Sequence, residues 1–349
     1  MAADFWFGII ALCLTMYVLL DGYDLGIGIL LLGEPNRERR RSMIEIVATA
    51  WDGNESWIVL LGVSLWGGLP AAYGAMLPAL YLPLVIMLFS LIFRGVAIEM
   101  VSSSPRTPAV WSFAFGAGSL VAAVAQGFVI GGLLNGVRVE RQVFAGGTFD
   151  FFAPFSVFTA ISTVLVYAVA GAAYLQHKSE GATEHRAAAS GRVLLVFAVP
   201  FVLITALWTG ATAAPLQLHP TARGIAFWLL VVVAVVAAGA AWIGFARGPD
   251  SLAFRGVVTA EIAGLVALFV GIAPLVVPPD VTIDSAAAPS GALTFLLIGV
   301  GINIPLVFFY NWYAHHVFRG KYRLPAEHRP SGMTPVGAAI RPTKGGDRR

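Results

Sequence analysis

The chain is a succession of apolar runs, most of them more than 20 residues long, separated by short polar breaks. A helix of about 20 residues spans the hydrocarbon core of a bilayer, so these runs dictate an all-α polytopic membrane protein before any single residue is weighed. Nine transmembrane helices are predicted, over residues 5–32, 43–68, 74–100, 110–134, 152–175, 191–211, 224–246, 254–277 and 291–318. They form one domain over 1–323, and the basic tail 324–349 is expected to be disordered. Charged residues make up 12% of the 349 positions, against roughly 25% in an ordinary soluble domain. The first apolar run starts almost at Met1, has no basic segment ahead of it and is too long for the core of a signal peptide. It is therefore expected to remain as the first helix.

An odd number of spans puts the two termini on opposite sides. Of the 22 Lys and Arg, eighteen fall in the tail or in and beside the loops after helices one, three, five and seven. Only Arg138, Arg141 and Arg223 lie on the other side. This bias predicts an N-terminus outside and a C-terminus in the cytoplasm. Positive charge gathered in loops and tail is not the pattern of a nucleic-acid binder, and no nucleic-acid partner is expected. The single cysteine, Cys13, excludes a disulfide within the chain and a thiolate metal cluster built by this chain alone.

The remaining cation, Arg94, lies inside a span, and several carboxylates do too. Helix one carries Asp21-Gly22-Tyr23-Asp24, and helix two carries Trp51-Asp52-Gly53-Asn54-Glu55. A carboxylate at a helix centre costs roughly 2.5 to 3.5 kcal/mol even on the gentlest insertion scale, so such residues are kept for a task. At 1.5 Å per residue, Asp24 lies roughly 13 Å inside the cytoplasmic end of helix one, and Asp52 lies at nearly the same depth on helix two. Arg94 is about one and a half turns above the inner end of helix three, Glu99 is nearer the surface, and Glu261 is about two turns into helix eight. An inner half with several ionisable groups facing an outer half with almost none reads as a proton half-channel open to the cytoplasm. The candidate path is Asp52, Asp24, Glu99, Arg94 and Asp21, with Asn54, Glu55 and Glu261 as secondary candidates.

A structural reading of the same residues stays open. Asp21 and Asp24, three apart, share a helix face, and either can bond a neighbouring backbone or serve as counter-ion to Arg94. Arg94 can also pair with Asp24 or Asp52 in a fixed internal salt bridge. Gly22, Gly26 and Gly28 lie at spacings that permit close helix contact. None of His177, His185, His219, His315, His316 and His328 lies at mid-membrane depth. A buried haem needs an axial ligand, most often His, so this chain is expected to bind no haem on its own, and no metal site is expected. A stand-alone proton-coupled transporter is the competing class. Against it stand the absence of an internally repeated motif and of a matched pair of broken helices.

Three motifs, Asp21-Gly22-Tyr23-Asp24-Leu25-Gly26-Ile27-Gly28, Trp51-Asp52-Gly53-Asn54-Glu55-Ser56-Trp57 and Leu91-Ile92-Phe93-Arg94-Gly95, resemble subunit II of the bacterial cytochrome bd quinol oxidases in order and spacing. Gln126-Gly127 to Gly136 with Asn135, Ala153-Pro154-Phe155 and Tyr310-Asn311-Trp312-Tyr313 are similar to that family as well. The resemblance implies two four-helix bundles plus one extra helix in the bacterial plasma (inner) membrane, and a heterodimer with a homologous subunit I, to which a small single-helix subunit can attach. It implies that haems b558, b595 and d and the quinol-oxidising loop belong to subunit I, so no residue that is catalytic in the redox sense is expected here. Electrons from a menaquinol or ubiquinol would reduce O2 to water with protons drawn from the cytoplasm, giving a membrane potential without pumping. The family's proton route is ascribed partly to the aspartate of the Trp-Asp-Gly-Asn motif, which Asp52 matches. Asp24 and Arg94 match the other two motifs, while Glu99 stands where well-known members have an aspartate. A structural quinone or lipid against the outer wall is compatible with the resemblance.

Overall fold

The computed structural model describes residues 2–103, 108–141, 143–212 and 221–322; the predicted tail 324–349, His219 and His328 lie outside the described residues. The elements in chain order are α1 (Ala2–Leu32), α2 (Arg37–Val47), α3 (Trp51–Gly68), α4 (Pro70–Ala79), α5 (Tyr81–Ser103), α6 (Pro108–Leu134), β1 (Val139–Glu140), β2 (Val143–Phe144), α7 (Pro154–Lys178), α8 (Ala182–Thr212), α9 (Ala222–Ala246), α10 (Asp250–Ile272), β3 (Leu275–Val277), β4 (Val281–Thr282), α11 (Ile283–Ala286) and α12 (Ser290–Val317). The strands form two small antiparallel hairpins, β1 with β2 and β3 with β4. Among the described residues, eight helices are long and apolar enough to cross a membrane, and nine when the bent pair α3 and α4 counts as one span.

The predicted spans differ from the observed helices at four places: α8 begins at Ala182, well before the predicted 191, and the other three each have a local cause. The region 43–68 is built from two helices, because its first residues belong to α2. That helix is capped by Asn36, whose side chain accepts from the Arg39 N–H at 2.9 Å. It buries Met43, Ile44, Ile46 and Val47 as one stripe while Arg37, Glu38 and Arg41 stay exposed, so these apolar residues serve packing of an amphipathic helix rather than a span. The region 74–100 opens inside α4. Gly67-Gly68-Leu69-Pro70 turns the chain by 119° between α3 and α4, with Pro70 at the first helical position, where its missing N–H leaves no intrahelical bond unmade. Finally, α10 stops at Ile272 instead of running to 277, since Pro274 cannot continue a helix and Leu275–Val277 pairs as β3.

Packing sorts the long helices into α1, α3, α5 and α6 on one side and α7 to α10 on the other, joined where α7 meets α1 and α6. The remaining long helix, α12, packs mainly on α3. Its most apolar stretch is only 11% buried, against 61% for α7. The helix α1 is central, and every residue from Asp21 to Gly28 is buried. Close approach makes that possible: a Cβ on Gly26 would collide with the Tyr167 carbonyl, and one on Gly171 would collide with the backbone of Gly26 and Ile27. Gly26→Ala is therefore expected to lower the thermal midpoint of the purified complex substantially, because overpacking costs about 1 to 3 kcal/mol and the obstructing atoms here are backbone. Gly8→Ala, where nothing lies within 4 Å of the new methyl, is the control. Equal midpoints for the two variants would contradict this account of the α1–α7 crossing.

Candidate functional site

Three helices converge on one guanidinium. Arg94, on α5, is completely buried, and its Nη1 lies 2.6 Å from Asp21 Oδ1 on α1. Its Nη2 donates to Glu55 Oε2 on α3 at 3.0 Å. The Asp21 side chain is likewise fully enclosed, whereas that of Glu55 is 24% exposed. One cation thus joins a carboxylate in the core to a carboxylate that reaches toward the outside of α3. Asp52, three residues before Glu55 on that helix, is exposed and lies within electrostatic reach of Glu55.

Asp24 faces a second, adjoining set of groups. Its Oδ2 accepts from Asn54 Nδ2 at 2.8 Å, and the same amide nitrogen donates to the Tyr23 hydroxyl at 2.7 Å. That hydroxyl is 2.8 Å from His315 Nε2, while His315 Nδ1 is 2.8 Å from the Asn311 carbonyl. In the neutral ring, the nitrogen facing a carbonyl must be the donor, so Nε2 accepts the Tyr23 proton and Tyr23 in turn accepts from Asn54. Asn311 ties the outer helix in by donating from Nδ2 to the Gly53 carbonyl at 3.0 Å. The two sets communicate, since Asp24 lies within electrostatic reach of Asp21, Arg94 and Glu55.

On the far side of Arg94, α1 presents Tyr17 one turn before Asp21. Gln126 of α6 donates to the Tyr17 hydroxyl at 2.7 Å and accepts from the Tyr167 hydroxyl of α7 at 2.7 Å. The polar residues Tyr17, Glu55, Gln126 and Tyr167 of four helices therefore surround the Asp21–Arg94 pair, and two carboxylates, Asp21 and Glu55, share one guanidinium with Asp24 close by. A surplus of carboxylates in a low-dielectric interior is what allows such a site to take up and release a proton.

The structure brings together Asp21, Arg94 and Glu55, and separately Asp24 with Asn54. Arg94 pairs with Asp21, one of the two helix-one aspartates expected as possible counter-ions, but with neither Asp24, which Asn54 holds, nor Asp52, because α3 turns Glu55 rather than Asp52 inward. Glu99 is exposed on α5, five residues beyond Arg94. Glu261 stands apart on α10, buried, with its Oε1 lacking a hydrogen-bond partner. It lines an otherwise mostly aliphatic cavity of about 280 Å3 among α1, α6, α7, α8, α9 and α10. Tyr17, Tyr23, Gln126, Tyr167 and His315 were not among the predicted site residues. Only the spacing of Asn311 and His315, one turn apart on α12, hinted at a polar face there. Among the described residues, no group of three or more His, Cys, Asp or Glu is placed to hold a metal ion.

Residues 2–318 match the family described as cytochrome bd terminal oxidase subunit II. The cytochrome bd-I ubiquinol oxidase subunit 2 of Escherichia coli (strain K12) is 29% identical over 212 residues, 58% of this chain and 56% of that protein. The chain thus aligns with little more than half the length of that relative. The cytochrome bd ubiquinol oxidase subunit 2 of Bacillus subtilis (strain 168) is 25% identical over 328 residues, 90% of this chain and 95% of that one. In three dimensions the chain is similar to a chain of the bd oxidase from Geobacillus thermodenitrificans, with a TM-score of 0.74 at 16% identity, covering 91% of this chain and 98% of that chain. That likeness concerns the fold.

Proposed function

The chain belongs to the cytochrome bd terminal oxidase subunit II family, and from that premise we propose that it is the supporting subunit of a respiratory quinol:O2 oxidoreductase and carries part of its cytoplasmic proton route. The observation that carries the proton role is the graded series on α3, α5 and α1. Asp52 is exposed, Glu55 is partly exposed, and Arg94 with Asp21 is fully enclosed. A proton taken up at Asp52 passes to Glu55, three residues along α3 and within its electrostatic reach, and reaches the Arg94-centred cluster. Asn54 holds the Asp24 carboxylate beside it. Glu99 serves as an outlying acceptor at the entrance. The chain's own part is to hold and move protons at these carboxylate oxygens.

Among the described residues, neither His315 nor His177 is set up as a haem ligand. Both ring nitrogens of His315 are engaged, by Tyr23 and Asn311, and His177 stacks on Phe254 with Nδ1 3.4 Å from Asp250. Haems b558, b595 and d are assigned to a partner subunit I, where quinol oxidation and O2 reduction take place. The poorly buried α12 supports a partner, because so little of its apolar surface is covered by this chain. The cavity beside Glu261 suits a structural quinone or a lipid chain, with aliphatic walls for the tail and one carboxyl for a polar end. A small single-helix subunit would complete the assembly, and the donor is a menaquinol or ubiquinol.

Affinity purification in detergent tests the assignment. A tagged version of this chain is expected to bring down a haem-bearing subunit and to show reduced-haem absorption bands. A colourless, monodisperse single chain would refute it. The positive-inside bias further predicts a cytoplasmic C-terminus. In Lys344→Cys, a membrane-impermeant thiol reagent added outside intact cells should fail to label the chain, and efficient labelling would reverse the orientation and the direction of proton entry with it.

A further inference from the structure

We propose that the pocket at the corner between α1 and α2 binds the phosphate of an anionic phospholipid headgroup. Glu34, just past the end of α1, is 4% exposed and organises the corner. Its Oε1 accepts from Arg39 Nη2 and from the Asn36 N–H, both at 2.8 Å, and its Oε2 lies 2.8 Å from Arg186 Nε at the start of α8. Arg40 donates to the Glu34 carbonyl. Burial pushes the Glu34 carboxyl up, but the Arg39 hydrogen bond, the Asn36 N–H and the Arg186 charge outweigh it and hold the group below the usual carboxylate range. Glu34 therefore stays ionised at neutral pH and fixes the guanidinium groups in place. Three guanidinium groups around one carboxylate leave the corner with excess positive charge.

The cavity there measures about 230 Å3, far more than the roughly 10 to 15 Å3 that one water needs. Two polar groups on its wall are unused: Thr183, 5% exposed, has no hydrogen-bond partner for its Oγ1, and Arg39 has none for its Nε. Arg186, half exposed, also donates from Nη2 to the Gly33 carbonyl at 3.5 Å. The opposite wall is aliphatic, from Ile29, Leu30, Met43 and Leu175. Guanidinium groups, a spare hydroxyl and an apolar wall at the end of a membrane span match a phosphodiester with its acyl chains, since arginine recognises phosphate through paired donors and basic pockets between spans hold lipid headgroups. A free anion would gain nothing from the aliphatic wall.

The inference stands independently of the proton route, and lipid retention by the intact complex tests it. After a delipidating wash, native mass spectrometry of the wild-type complex is expected to retain phosphatidylglycerol. Retention should fall about tenfold in Arg186→Gln and further in Arg39→Gln/Arg186→Gln, the scale of one lost charge-assisted hydrogen bond and then more. Phosphatidylcholine, which carries no net charge, should be retained weakly and alike by all. If the double variant fails to assemble, Arg186→Gln alone and Thr183→Val carry the test. Wild-type retention of phosphatidylglycerol in these variants would overturn the proposal. Displacement of the lipid by millimolar inorganic phosphate would overturn it too, marking a site for free anions.

Discussion

Replacing Arg94 with Gln is expected to stop the complex from accumulating in the membrane. The guanidinium is fully enclosed and lies between Asp21 and Glu55, contributed by two other helices. Removing one partner of a buried ion pair costs about 3 to 5 kcal/mol, because the other charge is left without compensation. Here the stranded groups are two carboxylates, with Asp24 adding repulsion from the same interior. The loss is comparable with the whole stability of an ordinary domain, about 5 to 15 kcal/mol. Arg94→Lys should be intermediate, since one ammonium replaces a planar fork that reaches both partners. The diagnostic case is the double variant Arg94→Gln/Asp21→Asn, in which the fully buried charge is removed with its counter-ion. It should recover part of the assembled complex, measured as haem-containing complex per milligram of membrane. A healthy Arg94→Gln single variant would mean that the pair contributes nothing to the fold.

Asp52→Asn is expected to leave assembly intact and to lower quinol-driven O2 consumption on the order of 10²-fold, the usual loss when a proton-transfer group is removed. The separation of the two effects follows from where Asp52 sits. It is exposed on α3 and outside the Arg94 cluster, and a surface substitution typically shifts stability by no more than about 0.5 kcal/mol. Asn keeps the size and much of the hydrogen bonding but cannot exchange a proton. Asp52→Glu should retain part of the turnover. Unchanged turnover and proton uptake in Asp52→Asn would remove Asp52 from the route, and Glu55 would then be the outermost carboxylate to test. Loss of the complex itself would assign Asp52 a structural role.

The class of fold and the chemistry of the interior were legible in the sequence. Apolar runs of span length need no knowledge of neighbours, because a bilayer imposes the same length on each helix separately. The cost of a charge in lipid likewise singled out Asp21, Asp24, Asp52, Glu55, Arg94, Glu99 and Glu261 one residue at a time, although Asp52 and Glu99 prove to be exposed. The close glycines at 22, 26 and 28 followed from spacing alone, and each proves to face a neighbouring helix or side chain.

Which charges meet was decided only in three dimensions. Depth along a helix is a one-dimensional quantity, and by that measure Asp24 and Asp52 were equally good partners for Arg94. Rotation about the helix axis is the missing coordinate: one residue turns a side chain by about 100°, so the packing of α3 on α1 selects Glu55 and leaves Asp52 outside. The same applies to Asp21 and Asp24, which share a face broadly yet point to Arg94 and Asn54 respectively. Tyr23 and His315 meet across 292 positions of chain, a pairing that no local pattern encodes. The helix breaks before α3 and after α4 were hidden for a related reason, since apolar residues that cover a neighbouring helix and apolar residues that face lipid look alike until the neighbour is in place.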